Sequence, residues 1–254
     1  MRRKLASLLA IFALTSAQAA SAQGARDANN PTCPPNPNWS SYPQMRFTVQ
    51  QVNGRNVLLA EGAIDDNLLP RLQQALNSFQ GDEIWLRSPG GNARVGNQAG
   101  MLLRQNNMTT RIPAGWACFS ACNFLFMGGQ VRHIDPGGLF IVHMFTHTSD
   151  RAAIRQQVAR GENNTIGLIA DVEQDSALLA SEDNDFLIRM GLSRHLLTDV
   201  MYRQSAVGDG ADHSTMRCLT LQEARQYNVV NDQAPDATPP AAPAQAPQRR
   251  QRGH

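Results

Sequence analysis

The spacing of apolar positions along this chain changes repeatedly between the short period of a strand and the longer period of a helix. Met45 to Gln50 and Val57 to Ala60 read as strands joined by a turn at Asn53-Gly54. Asp65-Asp66 can cap a helix whose apolar positions Leu68, Leu69, Leu72 and Leu76 recur at helical spacing. Glu83 to Arg87 is a short strand that runs into a Ser-Pro-Gly-Gly turn at 88–91, and Ala93 to Gln105 reads as the next helix. Met108 to Ile112 is a further strand, 113–119 a loop, and an apolar helix begins at Ser120. Leu139 to His143 is another strand. From about Asp150 to Arg203 the pattern is mostly helical, interrupted by a polar stretch at 160–165. Thr220-Leu-Gln-Glu223 has the spacing of a capping box. It opens a short helix that ends at Asn228 and is followed by a strand at Val229-Val230. Strands that alternate with helices predict an α/β domain with parallel pairings. We find no internal repeat.

The two ends of the chain depart from this pattern. Arg2, Arg3 and Lys4 precede a short apolar run, Leu5 to Leu14, and small-residue sites follow at Ala17-Gln-Ala19 and Ala20-Ser-Ala22. Residues 1–22 therefore read as a secretory signal, too short for a membrane span. Residues 23–44 are rich in Pro and Asn and read as an irregular arm. Residues 233–254 are rich in Pro, Ala and Gln, cannot bury a core, and read as a disordered tail. The stretch between them, 45–232, is long enough for one domain with a sizeable core.

Charge and composition remove several functions. The formal net charge is +2, but the first 22 residues contribute three positive charges and the tail a net two. Residues 23–232 thus carry about three net negative charges, which gives no electrostatic case for nucleic acid. No second apolar run is long enough to span a bilayer, so no stable membrane span is expected after signal removal. The only lysine is Lys4, inside the signal, which excludes mechanisms that need a lysine base or Schiff base in the mature protein. Cys33, Cys118, Cys122 and Cys218 would enter an oxidising compartment, periplasmic or extracellular, if the signal acts as one. Four cysteines allow three pairings. Cys118 and Cys122 flank Ser120 symmetrically and could reach each other across the loop-to-helix junction, which would leave Cys33 with Cys218.

Three features carry candidate chemistry. Ser120 stands where a loop opens an apolar helix; free N–H groups and the positive end of the helix dipole there would stabilise an oxyanion. An isolated serine at such a place is more commonly a plain cap. The Pro-Gly-Gly turn contributes Gly90 and Gly91, which allow positive φ and close backbone approach, although an ordinary turn uses glycines in the same way. His143 ends the apolar run Phe140-Ile-Val and could act as a general base if it lies within hydrogen-bond reach of the serine. A hydrogen-bonded core histidine is the bland alternative, and His147 is a nearby competitor.

Taken together, these blocks resemble the proteolytic subunit of the Clp protease, within the wider Clp-protease/crotonase superfamily. The resemblance rests on Val57-Leu-Leu-Ala-Glu-Gly-Ala-Ile-Asp65, Ile84-Trp-Leu-Arg-Ser-Pro-Gly-Gly91, Ala117 to Gly129, Ile141-Val-His-Met144, and Leu219-Thr-Leu-Gln-Glu-Ala-Arg-Gln-Tyr-Asn-Val-Val230. It covers about residues 45–232. It implies an α/β Clp-protease/crotonase-like fold of repeated ββα units with a helical handle over 150–203 that mediates assembly into a homo-oligomer. It also implies Ser120 as nucleophile, His143 as general base, and the N–H groups of Gly91 (or Gly90) and Ala121 as oxyanion hole. The flanking cysteines and the signal resemble an exported, periplasmic Clp-protease-like group. One position departs from the pattern. The acidic member of the triad would immediately precede Arg217-Cys-Leu-Thr220, and Met216 stands there instead. Asp212 lies four residues earlier and is the candidate for a displaced acid, with Asp199 and Asp209 further off.

The leading expectation is therefore a serine hydrolase, a peptidase acting on peptide or protein substrates through an acyl-enzyme on Ser120. It would need no cofactor and, lacking a P-loop, no ATPase partner of its own. The alternative is a catalytically inactive relative that binds peptides or assembles as an interaction module, which Met216 favours. A metal site built from Cys118, Cys122 and His143 or His147 is a loose zinc pattern, with which disulfide formation competes, and no metal is expected. Exported signal-peptide peptidases of the same superfamily resemble the chain in fold but use a Ser–Lys dyad, for which the mature protein has no lysine.

Overall fold

Parallel strands covered on both faces need near-continuous apolar sequence, and the strands of this chain divide by whether they have it. A computed structural model of the protein describes residues 33–34, 36–146, 148, 150–204 and 215–232. The sequence expectations for the signal, most of the N-terminal arm and the tail fall outside these residues. The described part is an α/β protein with two sheets. The larger has five strands in the order β1-β2-β3-β4-β6, formed by Arg46–Val52, Arg55–Glu61, Glu83–Arg87, Thr109–Ile112 and Val131–Ile134. The smaller has three strands in the order β5-β7-β8, formed by Ala117–Phe119, Leu139–His143 and Met216–Cys218.

β1 and β2 form an antiparallel hairpin closed by Asn53 (φ 52°) and Gly54 (φ 78°). These left-handed values are what a tight two-residue hairpin turn demands, which is why Asn-Gly stands there. The remaining pairs of the large sheet are parallel. Helix α1 (Leu68–Ser78) buries Leu68, Leu72 and Leu76, and α2 (Ala93–Gln105) buries Val95, Ala99 and Leu103. Leu58, Ala60, Ile84 and Leu86 complete that core from the sheet. Each such aliphatic side chain removed from water contributes roughly 1.5–3 kcal/mol.

Helix α3 (Cys122–Gly128) is buried along its whole length and lies against α2 through glycines. A Cβ on Gly96 would stand 2.7 Å from the Ala121 carbonyl oxygen, and one on Gly100 would stand 2.3 Å from that of Phe124. The two backbones are therefore in direct contact, and any larger residue at 96 or 100 would push the start of α3 away. At the other end of α3, Arg104 donates to the carbonyls of Gly128 and Gly129 at 2.9 Å each. Arg132, 1% exposed, donates to Gly129, Asn228 and Val229 carbonyls. Cations at a helix C-terminus suit its dipole, and Arg132 also ties the C-terminal segment to β6. Burial and the neighbouring Arg104 lower its pKa to about 10.

The helical region consists of α4 (Arg151–Ala159) and the long α5 (Glu162–Met190). The break between them is Gly161, at φ 106°, and the polar residues that follow are already helical. A π-helical turn (Leu196–Val200) and a 3-10 turn (Met201–Arg203) follow. α6 (Leu221–Gln226) opens with the capping box that Thr220 and Glu223 predict: each accepts from the other's backbone N–H.

Several local expectations differ. α1 starts at Leu68 with Asn67 as its cap residue and no side-chain cap; Asp65 instead accepts from the Asn67 N–H and pairs with Arg71. Residues 117–119, expected in a loop, are strand β5. Strand β6 was not anticipated, because its buried Arg132 breaks the apolar signal. Val229-Val230 is not a strand: both N–H groups bond back to the Ala224 carbonyl and close the end of α6.

Candidate active site

Ser120 does not cap a helix. It sits between β5 and α3 with φ 57°, a left-handed conformation that L-residues other than Gly, Asn and Asp adopt rarely. Backbone bonds hold it there: its N–H donates to the Ile141 carbonyl at 3.3 Å and its carbonyl accepts from Asn123 at 2.9 Å. The Asn123 side chain, 2% exposed, donates to the same Ile141 carbonyl at 2.8 Å. Cys118 and Cys122 are joined by a disulfide with Cα atoms 5.3 Å apart, so a covalent loop closes around Ser120. A serine held in a left-handed conformation on a sharp strand-to-helix turn is the geometry of a positioned nucleophile.

His143 is the last residue of β7, next to β5 in the small sheet. Its Nε2 lies 2.6 Å from Ser120 Oγ. Burial lowers its pKa below the ordinary 6.5, partly opposed by a hydrogen bond with the Met144 backbone. The ring is therefore neutral near pH 7, and a neutral ring can accept the hydroxyl proton at Nε2. The Phe119 ring lies beside it, centroid to centroid 4.7 Å, and Trp39 stacks on Phe119 at 5.3 Å.

The Ser-Pro-Gly-Gly turn is fastened to the same place. Ser88 is fully buried and forms a bridge with Cys118; its N–H donates to Ala117 and its carbonyl accepts from Phe119, both at 3.0 Å. Gly90 (φ 83°) lies directly on the serine turn. A Cβ there would be 2.6 Å from the Phe119 carbonyl oxygen and 2.7 Å from Ser120 Cβ. Gly91 (φ 147°) is pressed against Ile64 in the same manner. The Gly90 N–H donates to Ser88 Oγ at 3.1 Å. The N–H groups of Gly91 and Ala121 have no acceptor among the described residues. Asn92, which follows, caps α2 by accepting from the Val95 N–H. Turn, cap and helix are thus consecutive, so α2 and its contact with α3 fix the glycines against Ser120.

No carboxylate among the described residues is hydrogen-bonded to His143. Met216 lies directly opposite it across the β7–β8 pairing. Asp199 is 3.4 Å from His195 instead. Asp212, Asp209 and His147 lie outside the described residues. The two cysteines of the loose zinc pattern, Cys118 and Cys122, are joined to each other in a disulfide. Cys33 is joined to Cys218, with Cα atoms 5.2 Å apart. Sequence reasoning overlooked Phe119, Trp39 and Asn123. None of the three carried a usable local signal: Phe119 lies in β5, which is only three residues long.

Fold and site together define an α/β protein with a serine–histidine pair at a strand-to-helix turn. No family model and no curated protein matches the chain. Among solved structures it is similar to a ClpP1 point mutant from Listeria monocytogenes, 16% identical, with a TM-score of 0.46, over 69% of this chain and 88% of that one. No helix among the described residues is long and apolar enough to cross a membrane.

Proposed function

We propose that this protein is an exported serine hydrolase of the Clp-protease-like type, a peptidase that works through an acyl-enzyme on Ser120. The observation that carries the reading is the 2.6 Å contact between Ser120 Oγ and His143 Nε2 on a serine turn at φ 57°. In the proposed cycle Ser120 Oγ attacks the substrate carbonyl carbon as its proton passes to His143 Nε2. The oxyanion accepts from the N–H groups of Gly91 and Ala121, while Gly90 keeps the turn on the serine. His143 then gives its proton to the leaving amine. Water attacks the acyl-enzyme with His143 again as base, which releases the acid and restores Ser120. Neither cofactor nor metal takes part. Asp212 is the candidate to orient His143. Export to the periplasm or beyond is supported by two disulfides among the four cysteines. Residues 150–203 are the proposed surface for assembly with further copies; Ile166 and Ile188 there are more than half exposed.

A second reading is favoured by one observation: Met216, not a carboxylate, faces His143. An orienting acid fixes the imidazole tautomer and stabilises the imidazolium, so its lack suits a relative that binds peptides without cleaving them. Intact mass after treatment with a serine-directed fluorophosphonate separates the two. A single adduct that disappears in Ser120→Ala is expected. Folded, disulfide-intact protein that takes no adduct would instead count against catalysis and favour the second reading.

A further inference from the structure

We propose that Phe119, backed by Trp39 from the N-terminal arm, is a positioning residue for His143. The inference rests on the serine-hydrolase reading of the site. Three observations lead to it.

The first is the face on which these residues lie. In the small sheet Phe119 pairs with Ile141, Ile141 with Cys218, and His143 with Met216. Side chains alternate along a strand, so these five share one face. The opposite face, with Cys118, Phe140 and Val142, belongs to the main core. The face that bears His143 has its own small cluster, to which the arm contributes Cys33 and Trp39.

The second is how firmly the arm is tied. Cys33 is bonded to Cys218, two residues from the partner of His143. The Asn38 carbonyl accepts from the Ala117 N–H at 3.0 Å, and Asn38 Nδ2 donates to the Gly115 carbonyl at 2.9 Å. These bonds place Trp39 on Phe119 with ring planes only 23° apart. Phe119, held between Trp39 and the imidazole, has little freedom to turn.

The third is what the ring can do. No charged side chain among the described residues is hydrogen-bonded or ion-paired with His143. Its hydrogen-bond contacts are the Ser120 hydroxyl and the Met144 backbone. An orienting acid has two tasks, to fix the imidazole and to stabilise the imidazolium. A tilted aromatic ring 4.7 Å away can do both, the first by packing and the second because its negative face attracts a cation within about 6 Å.

Phe119→Leu keeps most of the volume and removes the π-face; Phe119→Tyr restores it; Trp39→Leu loosens the backing. The rate of fluorophosphonate labelling against pH is read for each variant. The His143 ring signal is titrated by NMR in parallel, identified as the signal missing from His143→Gln. With the π-face gone the imidazolium is less favoured. The expected result for Phe119→Leu is a labelling rate about 3- to 10-fold lower, with the His143 midpoint moved to lower pH by about half a unit. Phe119→Tyr should return both values to wild type, and Trp39→Leu should give a smaller shift in the same direction. A folded Phe119→Leu whose midpoint is unchanged, or moves upward as simple rehydration would move it, overturns the proposal. The NMR midpoint keeps the two claims separate. A wild type that takes no label refutes the hydrolase reading, and the midpoint still shows whether Phe119 governs His143.

Discussion

Two histidines end up near the ends of consecutive strands in different sheets of this molecule, and their surroundings are opposite. His133, in β6 of the large sheet, has a carboxylate at each ring nitrogen: Asp135 at 2.9 Å from Nε2 and Asp232 against Nδ1. Asp135 also pairs with Arg111, which pairs with Glu83, so the ring belongs to a chain of charges across the sheet. His143, in β7 of the small sheet, has the Ser120 hydroxyl and the Phe119 ring beside it, Met216 opposite in the strand pairing, and no hydrogen-bonded carboxylate among the described residues. One histidine is thus a structural tie between β6 and the C-terminal segment, while the other is a neutral ring with a lone pair aimed at a serine. Proximity of acids to a histidine does not single out the proposed base here; contact with a hydroxyl on a left-handed turn does.

The contrast is broken most severely at His143. His143→Gln should lower the labelling rate of Ser120 by about 100-fold or more, the usual contribution of a general base. His133→Gln should leave that rate unchanged and reduce only thermal stability. Equal losses of labelling in the two variants would show that the rate reports fold integrity rather than base catalysis.

The acids divide in the same way. Asp232 pairs with a histidine through Oδ2, whereas Asp183 on α5 is 2% exposed and its Oδ1 has no partner among the described residues. Burial, reinforced by Glu182, raises its pKa from 3.8 to about 7. The unfolded chain therefore releases this proton first as pH rises, and stability falls between about pH 4 and pH 7. Asp183→Asn should remove that loss. The variant is expected to be more stable than wild type at pH 8 by on the order of 2–4 kcal/mol, with little difference at pH 4. Melting curves at the two pH values check it, and a constant difference between them refutes the assignment. Asp232→Asn acts on a paired acid and should do the reverse. It should lower stability by about 1–2 kcal/mol near pH 6, read as a fall of a few degrees in Tm, with labelling unaffected.

What the sequence made legible follows the same physics. Leu68, Leu72 and Leu76, or Thr220 and Glu223, declare their elements because the signal is local: a period, a cap, a turn residue. The glycines at 90 and 91, Ser120 and His143 could be singled out one by one for the same reason. The left-handed φ of Ser120 could not, because it comes from bonds to Ile141 and Asn123, not from its own preference. β5 and β8 are three residues each, too short for a period, and exist because β7 lies between them. Arg132 hid β6, since nothing local shows that its charge would meet three carbonyls. Trp39 lies 80 residues from Phe119 in the chain, and only the folded arm brings them together.

The smallest expected effect is also the most direct exchange between the two histidines: Met216→Asp gives His143 one of the acids that His133 has. Residues directly opposite in an antiparallel pair have Cβ atoms about 4.5–5.5 Å apart, within reach of a short carboxylate. Position 216 is only partly buried, so the new charge keeps some contact with water. A carboxylate there favours the imidazolium, which moves the rising limb of the labelling profile from below pH 6.5 to higher pH by about one unit. Above that limb the labelling rate should rise by up to about tenfold, because the transition state carries the positive ring. The two effects have opposite signs at pH 5, where the variant should label more slowly, and at pH 8, where it should label faster. That crossover distinguishes an oriented, charged histidine from a simple gain in folded protein, which would raise the rate at every pH. If the profile of Met216→Asp overlays that of wild type, residue 216 does not communicate with His143. The orientation of the ring would then rest on its aromatic neighbour or on Asp212.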